Sequence, residues 1–129
     1  MLGKSNVTTI LPVVNVDRAR RFYEEKLGLE PGEKTTEGGV HYRTGGGEFE
    51  LSPRNEPTRN PYTVMSFEVT DIGREVKELE TRGVTFEDYD LADLKTVGHI
   101  ATRGSDKAAW FKDPEGNILC IHQGSRKSH

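Results

Sequence analysis

The chain has 129 residues, of which only 33% are hydrophobic and 30% are charged, with a formal net charge of -3 and one cysteine, Cys120. That length suits one domain, or two small halves sharing a core, and the lean apolar content leaves room for a homodimer that hides further apolar surface. The mild acidity offers no basic stripe for a phosphate backbone, so nucleic acid is not an expected partner. The lone cysteine excludes an intrachain disulfide framework, no apolar run approaches a bilayer span, and Met1-Leu2-Gly3-Lys4 lacks the apolar core of a signal peptide; a cytoplasmic protein with no membrane partner is expected.

Val7 to Val14 reads as a strand, with Thr9, Leu11 and Val13 on one face and Thr8, Ile10 and Pro12 on the other. Asn15 is placed to cap a helix in which Val16, Ala19, Phe22, Tyr23 and Leu27 recur at helical spacing, and Gly28 is placed to close it. The basic residues Arg18, Arg20 and Arg21 fall on what should be the solvated face of that helix. Glycine-punctuated segments around Val40 to Arg43 and Glu48 to Leu51 complete a βαβββ outline, and the proline-rich stretch 54–61 has linker composition.

The outline then returns. Val64 to Val69 reads as a strand, Asp71 caps a helix with Ile72, Val76 and Leu79 as its apolar stripe, and Gly83 ends it. Setting Asn15 against Asp71 and Gly28 against Gly83 gives an internal repeat of roughly 55 residues, which suits two paired modules rather than a solenoid. The segment from Glu87 to Asp106 is longer than its counterpart and polar, and a mobile flap is expected there. Two final strands flank Asp113-Pro114-Glu115-Gly116-Asn117, whose early proline and late glycine predict a hairpin turn, and a polar tail covers 124–129.

Three signatures resemble the vicinal oxygen chelate superfamily, which includes glyoxalase I, the bleomycin resistance proteins and the extradiol dioxygenases. They are Arg18-Ala19-Arg20-Arg21-Phe22-Tyr23 with Leu27-Gly28-Leu29; Val69-Thr70-Asp71-Ile72 with Arg82-Gly83-Val84; and Phe111-Lys112-Asp113-Pro114-Glu115-Gly116-Asn117. The resemblance implies an α+β fold, one domain over residues 1–129 made of two βαβββ modules at about 5–53 and 62–123, whose curled mixed sheets form a cup used for binding or catalysis. Metal-dependent members place ligands on the first and last strand of each module, positions that fall here on Thr8, Glu50, Val64 and Cys120. Only Glu50 is a usual ligand for a hard divalent ion, and one carboxylate cannot stand for the three protein ligands a catalytic site typically needs. No cofactor is therefore expected. A divalent metal would need donors outside the pattern, such as His41, His99 or His122 with Glu48 or Glu50, and these lack a His-x-x-x-His spacing.

Alternation directs Thr8, Ile10, Glu48, Glu50, Val64, Ser66, Glu68, Trp110, Cys120 and His122 toward the expected cup. Carboxylates among apolar walls suit a planar or amphipathic ligand carrying positive charge. The resulting expectation is a metal-free small-molecule binding protein that sequesters a toxic or antibiotic-like ligand. The alternatives are a metal-dependent lyase, epimerase or dioxygenase of the same superfamily, and a metal-free acid-base enzyme using Glu50, Glu68 or His122. Catalytic residues, and whether any catalysis occurs, stay open.

Overall fold

The computed structural model describes residues 1–124, and these fall into two compact units. Unit 1 comprises residues 1–59 together with 114–117, and unit 2 comprises residues 60–113 together with those from 118 onward. The architecture is mixed α+β with two open sheets, neither closed into a barrel.

Unit 1 is one βαβββ module: β1 (Thr9–Val13), α1 (Val16–Arg21), β2 (Glu33–Lys34), β3 (Val40–Arg43) and β4 (Glu48–Pro53), in sheet order β1-β4-β3-β2. The chain reaches β4 through the meander, which is why β1 and β4 lie parallel while the other pairs are antiparallel. Alternation sorts the side chains as the sequence predicts: Leu11, Val13, Val40, Tyr42, Phe49 and Leu51 are buried on one face, with Ala19, Phe22 and Tyr23 of the first helix. Three aromatic rings form the centre, Tyr42 stacked on Phe49 at 5.1 Å and Tyr23 tilted against both at 6.1 and 5.3 Å. Each such ring, fully buried, contributes about 1.5–3 kcal/mol of transfer free energy.

The Asn15 side chain accepts from the Arg18 N–H, satisfying a donor left over at the start of α1. Beyond Arg21 the α-helix gives way to a single π turn, Phe22–Lys26, closed by the Leu27 N–H on the Phe22 carbonyl. The wider turn still leaves Phe22 and Tyr23 buried together. Gly28 then takes a left-handed φ of 75°, where a side chain would be strained.

Unit 2 repeats the plan with an insertion. Its elements are β5 (Thr63–Glu68), α2 (Ile72–Thr81), β6 (Phe86–Glu87), β7 (Asp90–Leu91), β8 (Leu94–Val97), β9 (Ile100–Arg103), β10 (Asp106–Lys112) and β11 (Ile118–Gln123). Asp71 caps α2 through the Arg74 N–H, Ile72, Val76 and Leu79 are its buried stripe, and Gly83 ends it at φ 93°, so the cap and the closing glycine recur although this helix has no π turn. The sheet runs β5-β11-β10-β9-β8-β7, with β6 also paired to β10 beside β9. The segment expected to be a mobile flap is thus largely strand. Its polar residues alternate along the hairpins of β7, β8 and β9, so backbone pairing rather than a hydrophobic face orders it.

The turn 114–117 does more than reverse the chain. In unit 1 the buried Glu115 carboxylate accepts from the backbone N–H groups of Val14 and Asn15 and from both Nε and Nη2 of Arg18, the latter at 2.6 Å. Asn117 Nδ2 donates to the Pro12 carbonyl at 3.0 Å. Arg18 is therefore not simply part of a solvated helix face: its charge is spent on a carboxylate 4% exposed. Burial alone would raise the Glu115 pKa, but the Val14, Arg18 and Asn15 donors outweigh it and hold the carboxyl below the usual range.

Candidate functional site

In each unit the helix covers one face of the sheet, and the other face carries the candidate residues. On that face of unit 1, Glu50 lies opposite both Ile10 and His41, and Arg43 lies opposite Glu48. The His41 ring is clamped at both ends, Nε2 2.8 Å from Glu48 Oε1 and Nδ1 3.1 Å from Glu50 Oε1. Hydrogen bonds to Glu48 and then Glu50 raise the His41 pKa above its ordinary value. Thr8 sits just before β1, and Ile10 is 50% exposed. The two carboxylates expected to meet a cationic ligand are thus already engaged by an imidazole of the chain's own.

In unit 2 the parallel pairing of β5 with β11 sets Ser66 beside Cys120 and Glu68 beside His122, while β10 sets Trp110 opposite Cys120 and Ala108 opposite His122. A bulge at Ile118/Leu119 leaves Val64 out of the pairing. Ser66 Oγ lies 2.6 Å from His122 Nδ1, and His122 Nε2 is buried with no hydrogen-bond partner among the described residues. Burial pushes the Cys120 thiol up, against a smaller opposing effect of Ser66. Tyr89 meets the Trp110 ring edge-on at 5.5 Å.

Against Trp110, Ala108 and His122 lies a cavity of about 350 Å³, whose outer wall is the β8–β9 hairpin with Lys95, Ala101 and Arg103. Lys107 adds a third cation to the lining, and Asp93 and Asp106 oppose them. Of the expected site residues, unit 2 brings together Trp110 and His122 at this cavity, with Ser66 and Cys120 next to them; Ile10, Glu48 and Glu50 gather in unit 1. Lys95 and Arg103 were missed because the flap gave no periodic signal that would place them against Trp110, and Lys107 because it lies at the start of β10, just past that segment. Tyr89 was missed for the same reason as Lys95 and Arg103.

The four metal positions do not fit a catalytic ion. Val64 has no donor atom, Glu50 is engaged by His41, and burial disfavours the Cys120 thiolate. Among the described residues no group of three or more His, Cys, Asp or Glu side chains is arranged to hold a metal. No helix among them is long and apolar enough to cross a membrane.

Two open sheets, each covered on one face by a capped helix, define the class as an α+β protein. The chain belongs to the Glyoxalase/Bleomycin resistance protein/Dioxygenase superfamily, whose model matches residues 6–121. Among solved structures it is similar to a glyoxalase/bleomycin resistance protein/dioxygenase from Alicyclobacillus acidocaldarius, with 17% identity, TM-score 0.70 and coverage of 95% of this chain and 93% of that one. It is also similar to TnmS3, an antibiotic binding protein from Streptomyces sp. CB03234 (19% identity, TM-score 0.66, coverage 97% and 99%). A third likeness is to lactoylglutathione lyase from Agrobacterium tumefaciens (21% identity, TM-score 0.65, coverage 94% and 94%). At these identities the likenesses show the fold. No curated protein matches the chain in sequence.

Proposed function

We propose that this protein is a small-molecule binding member of its superfamily that holds a planar, antibiotic-like ligand against Trp110 without a catalytic metal. The observation that carries the reading is the cavity beside Trp110 and His122, whose volume of about 350 Å³ lies in the range of ligand pockets. Trp110 offers a stacking surface, and the mixed charges of Lys95, Arg103, Asp93 and Asp106 suit a polar rim around it. The likeness in fold to an antibiotic binding protein is consistent with this use. A ligand of net positive charge is not favoured, since Glu48 and Glu50 are occupied by His41 and the cavity carries three cations against two carboxylates.

Trp110 is the only tryptophan, so its emission reports the site directly. The test is a fluorescence titration with three fused-ring probes: anionic anilinonaphthalene sulfonate, neutral N-phenyl-1-naphthylamine and cationic proflavine. Saturable quenching by at least one, abolished in an Ala108→Phe variant that fills the cavity and leaves Trp110 the only tryptophan, is the expected result. Unsaturable quenching by all three sinks the proposal. One observation favours a second reading, the 2.6 Å Ser66–His122 contact, which would suit a metal-free acid-base enzyme using His122. Turnover of a ligand found in the screen, lost in His122→Gln with binding retained, would establish it. We also propose a cytoplasmic homodimer, for which sedimentation velocity supplies the test of assembly.

A further inference from the structure

The outer wall of the unit 2 cavity is a two-stranded hairpin with an unusual turn. Gly98 and His99, the residues between β8 and β9, both have left-handed backbones, at φ 58° and 71°. A tight hairpin of this kind asks for positive φ at both positions, which glycine adopts freely and asparagine, aspartate and histidine adopt more often than other residues. His99 is the only described non-glycine residue with positive φ, and in that conformation its side chain is held from outside the turn.

Three contacts do so. The His99 ring stacks on Phe86 of β6 at 5.9 Å with an interplanar angle of 23°. Nδ1 lies 2.9 Å from Asp88 Oδ1, in the β6–β7 connection, and Nε2 lies 3.1 Å from Glu80 Oε2 on α2. A neutral imidazole has one N–H and can donate to only one of these carboxylates; the imidazolium donates to both. Asp88 also accepts from Thr96 Oγ1 at 3.1 Å, so the same carboxylate grips β8 a second time. The charged groups facing His99 are thus both acidic, one from α2 and one from the β6–β7 connection, and they raise its pKa above the ordinary 6.5, Asp88 through its hydrogen bond most of all.

We propose that His99 is a protonation latch on the ligand cavity: as imidazolium it pins the β8–β9 hairpin to Asp88 and Glu80, and on deprotonation it frees the wall that carries Lys95, Ala101 and Arg103. The proposal rests on the reading that this cavity holds the ligand. A folded-state pKa raised above the unfolded value gives stabilisation that is fully present below the ordinary imidazole value and is lost as pH rises through the raised one. The wall is therefore closed on the acid side and loosened on the alkaline side, and a ligand behind it is held longer at lower pH.

The test separates the latch from the ligand. Hydrogen exchange in residues 94–103 of the ligand-free protein is measured from about pH 5.5 to 8.5, a window that starts below the ordinary imidazole value and extends above it, and corrected for the intrinsic pH dependence of exchange. His99→Asn keeps a residue that tolerates left-handed φ and one amide donor, and removes the titration. The expected result is a roughly fivefold loss of protection with rising pH in the natural protein, the scale of two partly exposed charged contacts, and protection independent of pH in His99→Asn. Asp88→Asn, which leaves the turn untouched, should give an intermediate slope. Protection that does not change with pH in the natural protein, or an unchanged slope in both variants, overturns the latch. Dissociation of anilinonaphthalene sulfonate, followed by Trp110 emission, should quicken over the same range. If exchange shows the latch while the probe leaves at a pH-independent rate, the latch does not gate this cavity and its regulatory role is overturned.

Discussion

Replacing Glu115 should destabilise the protein more than any exposed charge substitution. Glu115→Ala removes the acceptor for the Val14 and Asn15 N–H groups and for two guanidinium donors of Arg18. Breaking a buried ion pair typically costs about 3–5 kcal/mol, most of it the stranded partner. Here the stranded partner is half exposed, Arg18 at 49% against 1% for the Glu115 side chain, so it rehydrates and the lower end applies. Each backbone donor left dry adds about 1–3 kcal/mol, less if water enters the space. With water reaching part of the space, a loss of about 3–5 kcal/mol is expected for Ala. Glu115→Gln keeps an acceptor for the backbone but places an amide against the guanidinium, and should cost about 2 kcal/mol, since charge-assisted bonds are about twice as strong as neutral ones. Urea denaturation at neutral pH followed by circular dichroism measures both. Because the folded-state pKa of Glu115 is depressed, its stabilisation is present above the unfolded carboxyl value of 4.5 and disappears as pH falls through the depressed value, so the gap between natural protein and Glu115→Gln should narrow in acid. A Glu115→Ala loss under about 1 kcal/mol, or a gap that widens in acid, would refute the reasoning.

The His41 clamp should show in an NMR titration: its imidazole keeps its proton to higher pH than a free histidine, and Glu48→Gln with Glu50→Gln brings it back, whereas an unchanged midpoint would mean the carboxylates do not hold it. That clamp stabilises unit 1 below the ordinary imidazole value and weakens as pH rises through the raised one. Cys120 is buried and its thiol is pushed up by that burial, so in the native protein it should react with a disulfide reagent at least about tenfold more slowly than in urea; equal rates would show that the thiol is open to solvent. Tyr42 donates to Glu24 at 2.8 Å from within the core, and Tyr42→Phe should cost about 1–2 kcal/mol by the same urea assay, with no loss pointing to a water that replaces the hydroxyl. Calorimetric titration with zinc, nickel, manganese and iron(II) should reveal no stoichiometric site, and a micromolar one would overturn the ligand reading of Thr8, Glu50, Val64 and Cys120.

Local rules settled much of this protein in advance. Strand alternation separated Leu11, Phe49 and Leu51 from Ile10, Glu48 and Glu50, and Asn15, Asp71, Gly28 and Gly83 marked the helix ends, because side-chain period and capping depend on neighbours a few residues away. The repeated module was legible for the same reason. Only the tertiary structure could show that Arg18 serves Glu115, since 97 residues separate them and an exposed arginine on a helix looks the same with or without a distant carboxylate. It also decided that 87–106 adds strands to the sheet, that His41 takes up both Glu48 and Glu50, and that the β8–β9 hairpin stands against Trp110. Short polar strands carry no hydrophobic period to read. What orders them is the pairing edge that β10 offers, and that edge exists only once the sheet has formed.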